Sequence, residues 1–148
     1  MNIKAVSVKG VYMLKTVNGS IPAVLLEDDK GMLMPIHIGQ PEAMSINTIL
    51  KKKTTPRPMT HDLMVSILTR LDADIEGVLI DEKIDDVYYA RFRVKSGSTI
   101  MEFDARPSDC IALALRENAP IKIKEQVLHN SAISKEELQG AQTLDSVF

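Results

Sequence analysis

Two short polar stretches carry the residue types that acid–base and phosphate chemistry require. In "PRPMTHDL" (56–63), Arg57, Thr60, His61 and Asp62 stand at the mouth of an apolar helical pattern. In "FDARPSDC" (103–110), Asp104, Arg106, Ser108 and Asp109 stand where a strand pattern gives way to a helical one. A histidine at a helix start, beside Arg57 and the run Lys51, Lys52 and Lys53, resists protonation. Neutral imidazole is the form that serves as a general base or a metal ligand. Asp104 and Asp109 offer oxygen ligands for a hard divalent cation, and Arg106 offers a two-pronged grip on a phosphate.

A purely structural explanation competes with this chemistry. Thr60 suits a helix N-cap, and Asp62 in the first turn suits the positive end of the helix dipole. Ser108 and Asp109 can cap the following helix while Asp104 and Arg106 pair. Neither point gives His61 a role. The lysines at 51–53 fit a solvated helix end, yet with Arg57 they form the one concentrated basic patch in the chain. His37 lies among Pro35, Ile36 and Ile38 and reads as an interior histidine. Glu42 reads as a dipole partner at a helix start. The sequence lacks a phosphate-binding glycine loop, paired cysteines, an HExxH helix and a nucleophile elbow.

The elements that must position these residues follow from periodicity. With an offset of 66, Gly31 falls on Gly97 and Pro41 on Pro107, so residues 21–53 and 87–117 read as a duplicated hairpin-plus-helix unit. His37 then matches Phe103, a position expected to face the core. Helices are predicted at about 41–53, 60–71 and 107–117, with Pro admissible in the first turn. A Ser96–Gly97 turn would set Lys95 opposite Ser98, Arg91 opposite Glu102 and Tyr89 opposite Asp104. Alternation places Tyr88, Ala90, Phe92 and Val94 on one face and Tyr89, Arg91, Arg93 and Lys95 on the other. The first hairpin is apolar on both faces and should lie deeper. "NIKAVSVKG", "VYMLKT", "DIEGVLID" and "PIKIK" read as further strands, and "TTPRP" as a rigid connector. The expected class is α+β: a mostly antiparallel or mixed sheet flanked by helices, with closure into a barrel left open. The domain is expected to span 1–125, followed by a tail at 126–148 with a short helix.

Composition bounds the reading. A chain of 148 residues with 45% hydrophobic and 26% charged residues suits one globular domain. The lone Cys110 excludes an internal disulfide and suits a reducing cytoplasm, and no apolar run is long enough to span a membrane. Net charge is −2, with nine Lys and Arg against seven Asp and Glu in residues 1–74, and nine against thirteen thereafter. Any phosphate contact must therefore come from a local patch. Exposed hairpin edges favour self-association as a homodimer.

Taken together and in order, "MPIHIGQPEA", "PRPMTHDL", "YYARFRV" and "DARPSDCIALALRENAPI" resemble the bifunctional nuclease domain family, over about residues 1–125. The resemblance implies action on both DNA and RNA. Cys110 departs from it, standing where the family pattern more often has Ala. Arg57, Thr60, His61 and Asp62 match in one block, and Asp104, Arg106, Ser108 and Asp109 in the other. The expectation is phosphodiester hydrolysis in one shared cleft, with little sequence specificity. Asp104 and Asp109, with Asp62, would bind Mg²⁺ or Mn²⁺; His61 would be general base or ligand; Arg57 and Arg106 would hold the phosphate. Lys51, Lys52 and Lys53 would track the strand, and no organic cofactor is expected. Two other readings stay open: a non-enzymatic module binding a phosphorylated ligand or a partner, and a purely structural fastener.

Overall fold

The computed structural model describes residues 2–146. β1 (Ile3–Thr16) is one long strand in which the two expected N-terminal strands merge, bent by a register shift between Val8 and Gly10. It forms an antiparallel hairpin with β2 (Gly19–Glu27), which pairs in turn with β3 (Leu33–His37). The β2–β3 turn is tied by Asp28, whose carboxylate accepts from the amides of Lys30 (3.0 Å) and Met32 (2.8 Å) and pairs with Lys4 at 2.9 Å. α1 (Gln40–Leu50) follows, with Pro41 in its first turn. A connector exposed over residues 51–58 then leads to α2 (Thr60–Arg70).

β4 (Ala73–Ile84), β5 (Val87–Ser96) and β6 (Thr99–Ala105) form an antiparallel meander. α3 (Pro107–Glu117) and β7 (Ile121–Lys124) follow, and β7 inserts between β1, antiparallel, and β4, parallel. The last segment holds α4 (Glu125–Ser131), α5 (Lys135–Leu138) and β8 (Gln142–Thr143), which adds to β1. The path is β3-β2-β1-β7-β4-β5-β6, a mixed sheet that stays open rather than closing into a barrel. β2–β3–α1 and β5–β6–α3 share the same order of elements, with the first hairpin the deeper of the two.

Two expectations change here. The second hairpin turns at Gly97–Ser98, so Ser96 opposes Thr99 and Arg91 opposes Asp104. Gly97 takes φ 62 at the first turn position, where a two-residue hairpin needs a residue free of a Cβ. The slip is two residues, so each side chain keeps its face. Phe103, opposite the buried Phe92, keeps the core side of the sheet but is 48% exposed, because β6 is an edge strand.

The core lies between the sheet and helices α1 and α3. Five consecutive residues of α3, Cys110 to Ala114, are buried, so this helix is enclosed on most sides, and Ala43 of α1 is buried in the same core. Burial of Cys110 pushes its thiol up to about 12, so it behaves as a small apolar filler. Leu128 and Leu144 also join the core, so chain beyond residue 125 packs with the sheet.

Candidate functional site

α1, α2 and α3 bring their N-terminal turns together, and five side chains bridge them. Glu42 and Ser45 lie one turn apart on α1, as Arg106 and Asp109 do across the start of α3, so each pair shares a face. Ser45 Oγ lies 2.6 Å from His61 Nδ1, and His61 Nε2 lies 3.0 Å from Asp109 Oδ1. A carboxylate only accepts, so Nε2 carries the proton, and in the neutral ring Nδ1 accepts from the Ser45 hydroxyl. Arg106 donates from Nε (3.0 Å) and Nη2 (2.9 Å) to Asp109 Oδ2, and its Nη1 lies 3.6 Å from Glu42. Gly39 makes room for this last contact, since a Cβ there would meet Glu42 Oε1 at 2.5 Å. The chain Ser45–His61–Asp109–Arg106–Glu42 thus begins and ends on α1.

Ser, His and Asp in line suggest a nucleophile, but Ser45 is 2% exposed and cannot meet a substrate. His61 has both nitrogens engaged and a side chain 12% exposed. Beside it Asp62 accepts from Arg116 Nε at 2.6 Å and from the Met59 amide at 2.8 Å. The helix is therefore capped through Asp62 reaching back to Met59, in place of the expected cap by Thr60. Arg116 holds the Asp62 carboxyl below the usual carboxylate range. α2 contains no fully buried residue: Val65 and Leu68 pack half-buried against the core, and His61 and Asp62 add polar ties to α1 and α3.

The outer end of this chain opens onto a cleft of about 640 Å³. Arg106 and Ser108 form one wall, His37 and Glu42 a second, and Lys83 and Tyr88 a third. Arg106 keeps 65% of its side chain exposed while Asp109 fixes its guanidinium. Lys83 Nζ stacks over the Tyr88 ring, 5.1 Å from its centroid. His37, expected inside, is exposed on the edge strand, with Ile36 and Ile38 buried on either side of it. Alternation along β3 carries that signal, and Phe103, to which it was matched, is exposed as well.

The other expected residues are spread more widely. Asp104 opposes Arg91 on the sheet face away from α3, in a hollow with Asp81 and Glu102, and it makes no contact with His61 or Asp109. Both Asp109 oxygens are occupied by His61 and Arg106. Among the described residues no group of three or more His, Cys, Asp or Glu side chains is placed to hold a metal ion. Lys51 and Lys53 stand at the far end of α1, about 14 Å along the axis from Glu42. They face Asp145 at 3.6 and 3.1 Å, and Asn47 donates to the same carboxylate at 2.7 Å. Lys52 turns the chain out of the helix at φ 54, and Arg57 lies exposed in the connector. Sequence reasoning missed Ser45, Lys83 and Arg116 as partners. Only Arg116 left a trace, lying seven residues after Asp109 and hence on the same helix face.

The fold and the cleft together define an α+β domain that presents a clamped arginine and an exposed histidine in a polar surface cleft. The chain belongs to the bifunctional nuclease domain family, whose model matches residues 24–136. A protein of Mycobacterium tuberculosis described as uncharacterised is 34% identical over 113 residues, 76% of this chain and 67% of that protein. Bifunctional nuclease 1 of Oryza sativa subsp. japonica is 24% identical over 111 residues, 73% of this chain and 34% of that protein. Bifunctional nuclease 1 of Arabidopsis thaliana is 23% identical over 117 residues, 76% of this chain and 36% of that protein. The chain therefore spans about a third of each of these plant relatives. Among the described residues no helix is long and apolar enough to cross a membrane.

Proposed function

We propose that this chain hydrolyses phosphodiester bonds of DNA and RNA, with little sequence preference, in the cleft that Arg106 and His37 share. The observation that carries the reading is Arg106, fixed through two nitrogens by Asp109 yet open to the cleft. A guanidinium held in this way meets the charge that develops on a phosphate without reorganising. His37 accepts the proton of an attacking water, the bond from phosphorus to the leaving sugar oxygen breaks, and solvent in the open cleft protonates that oxygen. Lys83 stands at the opposite wall, 3.8 Å from Asp86, which lines the same cleft. Contacts to phosphate alone leave the 2′-hydroxyl unread, which suits both nucleic acids. His61 acts through Asp109 as a positioning residue. The proposal includes self-association: β6 leaves unpaired backbone groups and exposed Met101 and Phe103 at a sheet edge, a template for the same strand of a second copy.

The test is cleavage of single-stranded DNA and RNA by the wild type, His37→Ala and Arg106→Lys. His37→Ala is expected to lower kcat by about 10²–10⁴-fold, and Arg106→Lys by about 10²-fold, with melting temperature little changed for His37→Ala. Full cleavage by both variants would place hydrolysis elsewhere. A second reading, binding of a phosphorylated ligand without turnover, draws on the same clamped arginine. Phosphate-dependent binding with no cleavage by the wild type selects it.

A further inference from the structure

The cleft described above does not end at His37. A second hollow of about 650 Å³ adjoins it along β3, and both hollows are lined by Pro35 and His37. His37 therefore sits on the saddle between two recesses. The far recess is walled by the ends of β1 and β2, at Lys15 and Ser20, and by the segment carrying Gln139 and Gln142. Each recess falls within the range that encloses a small ligand, about 300–1,000 Å³, so the pair is larger than one nucleotide requires.

The far recess places one exposed cation where a backbone phosphate could reach it. Lys15 is exposed and has no ion-pair partner among the described residues. Glu137 also lines the recess and keeps its charge, with Oε1 turned to the Ser134 amide and hydroxyl at the start of α5, so Lys15 is the cation the recess offers. The side-chain amides of Gln139 and Gln142 both donate and accept, while Met13 and Ile133 give an apolar floor. Such a surface takes any base by contact and amide hydrogen bonding, and takes the backbone by charge.

We propose that the far recess is the continuation of the substrate track. It holds the nucleotides on one side of the scissile phosphate, with Lys15 on a backbone phosphate and His37 at the crossing point. The substrate is then an extended single strand of several nucleotides, since crossing a saddle between two recesses requires a narrow, flexible chain. This rests on the nuclease reading for the identity of the ligand, but binding and cleavage are separable in the test.

Non-cleavable phosphorothioate DNA single strands of about two to twelve nucleotides are titrated into the wild type and Lys15→Glu, with fluorescence anisotropy as the readout. Affinity for the wild type is expected to rise with length to a plateau. Lys15→Glu is expected to flatten the rise, weakening the longest strand about tenfold and reducing the salt slope by about one, with the shortest strand unaffected. Unchanged affinity and salt slope in Lys15→Glu overturn the track. Duplex binding as tight as single-strand binding, or no binding of any strand, also overturns it. Length-dependent, Lys15-sensitive binding with no cleavage of ordinary strands keeps the track and removes hydrolysis. Cleavage indifferent to length and to Lys15 does the reverse.

Discussion

Two histidines in this chain have opposite surroundings, and the surroundings decide their roles. His61 is bonded at both nitrogens and nearly enclosed, so it fastens three helices and aims Asp109. His37 stands exposed at the junction of two recesses, where a proton can be exchanged with solvent. His61→Ala leaves Ser45 and one Asp109 oxygen without their partner, and is expected to cost about 1–3 kcal/mol in denaturant unfolding. A loss in kcat should follow through a looser Arg106, and Asp109→Asn should share it. His37→Ala, by contrast, should lower activity at unchanged unfolding midpoint. A second residue-level prediction concerns Cys110. Its thiol is enclosed and pushed up to about 12, so a thiol reagent should label it only when denaturant opens the fold. Labelling of native protein at the rate of a free thiol would contradict the burial described above. These roles were partly legible in the sequence, because "THDL" and "RPSD" did mark residues that meet. What each does was not, because it depends on how many bonds a side chain makes, and those partners come from distant chain.

At the scale of elements, α2 is the least enclosed helix of the three, and its dependence on polar docking has a defined pH signature. Arg116 and the Met59 amide hold the Asp62 carboxyl below its ordinary value. A depressed carboxyl contributes stability that is present above the unfolded-state pKa, near 4, and is lost as pH falls through the folded value. The contribution of Asp62 to docking should thus be fully present from neutrality down to about 4 and be lost below it. Proteolysis in the exposed connector before α2, followed against pH, reads this directly. Asp62→Asn should cut faster at neutral pH and lose the acid-side acceleration; an unaltered pH profile would remove Asp62 from the docking. The start of α2 was legible from "MTHD", as were the Pro41 and Pro107 helix starts and the alternation of β5. The apolar residues Leu63, Met64, Ile67 and Leu71 are exposed along the outer side of α2, which periodicity alone could not reveal. A helix apolar on both sides gives no single face to assign as inner.

For the whole molecule, the sequence pointed to an α+β mixed sheet but not to its order. The insertion of β7 between β1 and β4 rests on long-range pairing, and a short alternating run carries no address for its neighbours. The same order leaves β6 uncovered at one end of the sheet, with Ile100, Met101 and Phe103 exposed along it. An edge of that kind pairs readily with another strand. Its charges are largely neutralised within the chain: Glu102 lies 3.3 Å from Arg91 and 3.8 Å from Arg93, and Asp104 stands opposite Arg91. Pairing of β6 with its own copy about a two-fold axis therefore extends the sheet without bringing together unpaired carboxylates. Sedimentation equilibrium of the full chain is expected to give a dimer whose population rises with concentration. Phe103→Lys, an exposed change that leaves the core intact, should shift it to monomer. Because every residue assigned to the cleft comes from one chain, that monomeric variant should retain its kcat on single strands. A wild type that stays monomeric at every concentration removes the dimer, and loss of cleavage with the monomer would show that the cleft is completed across the interface.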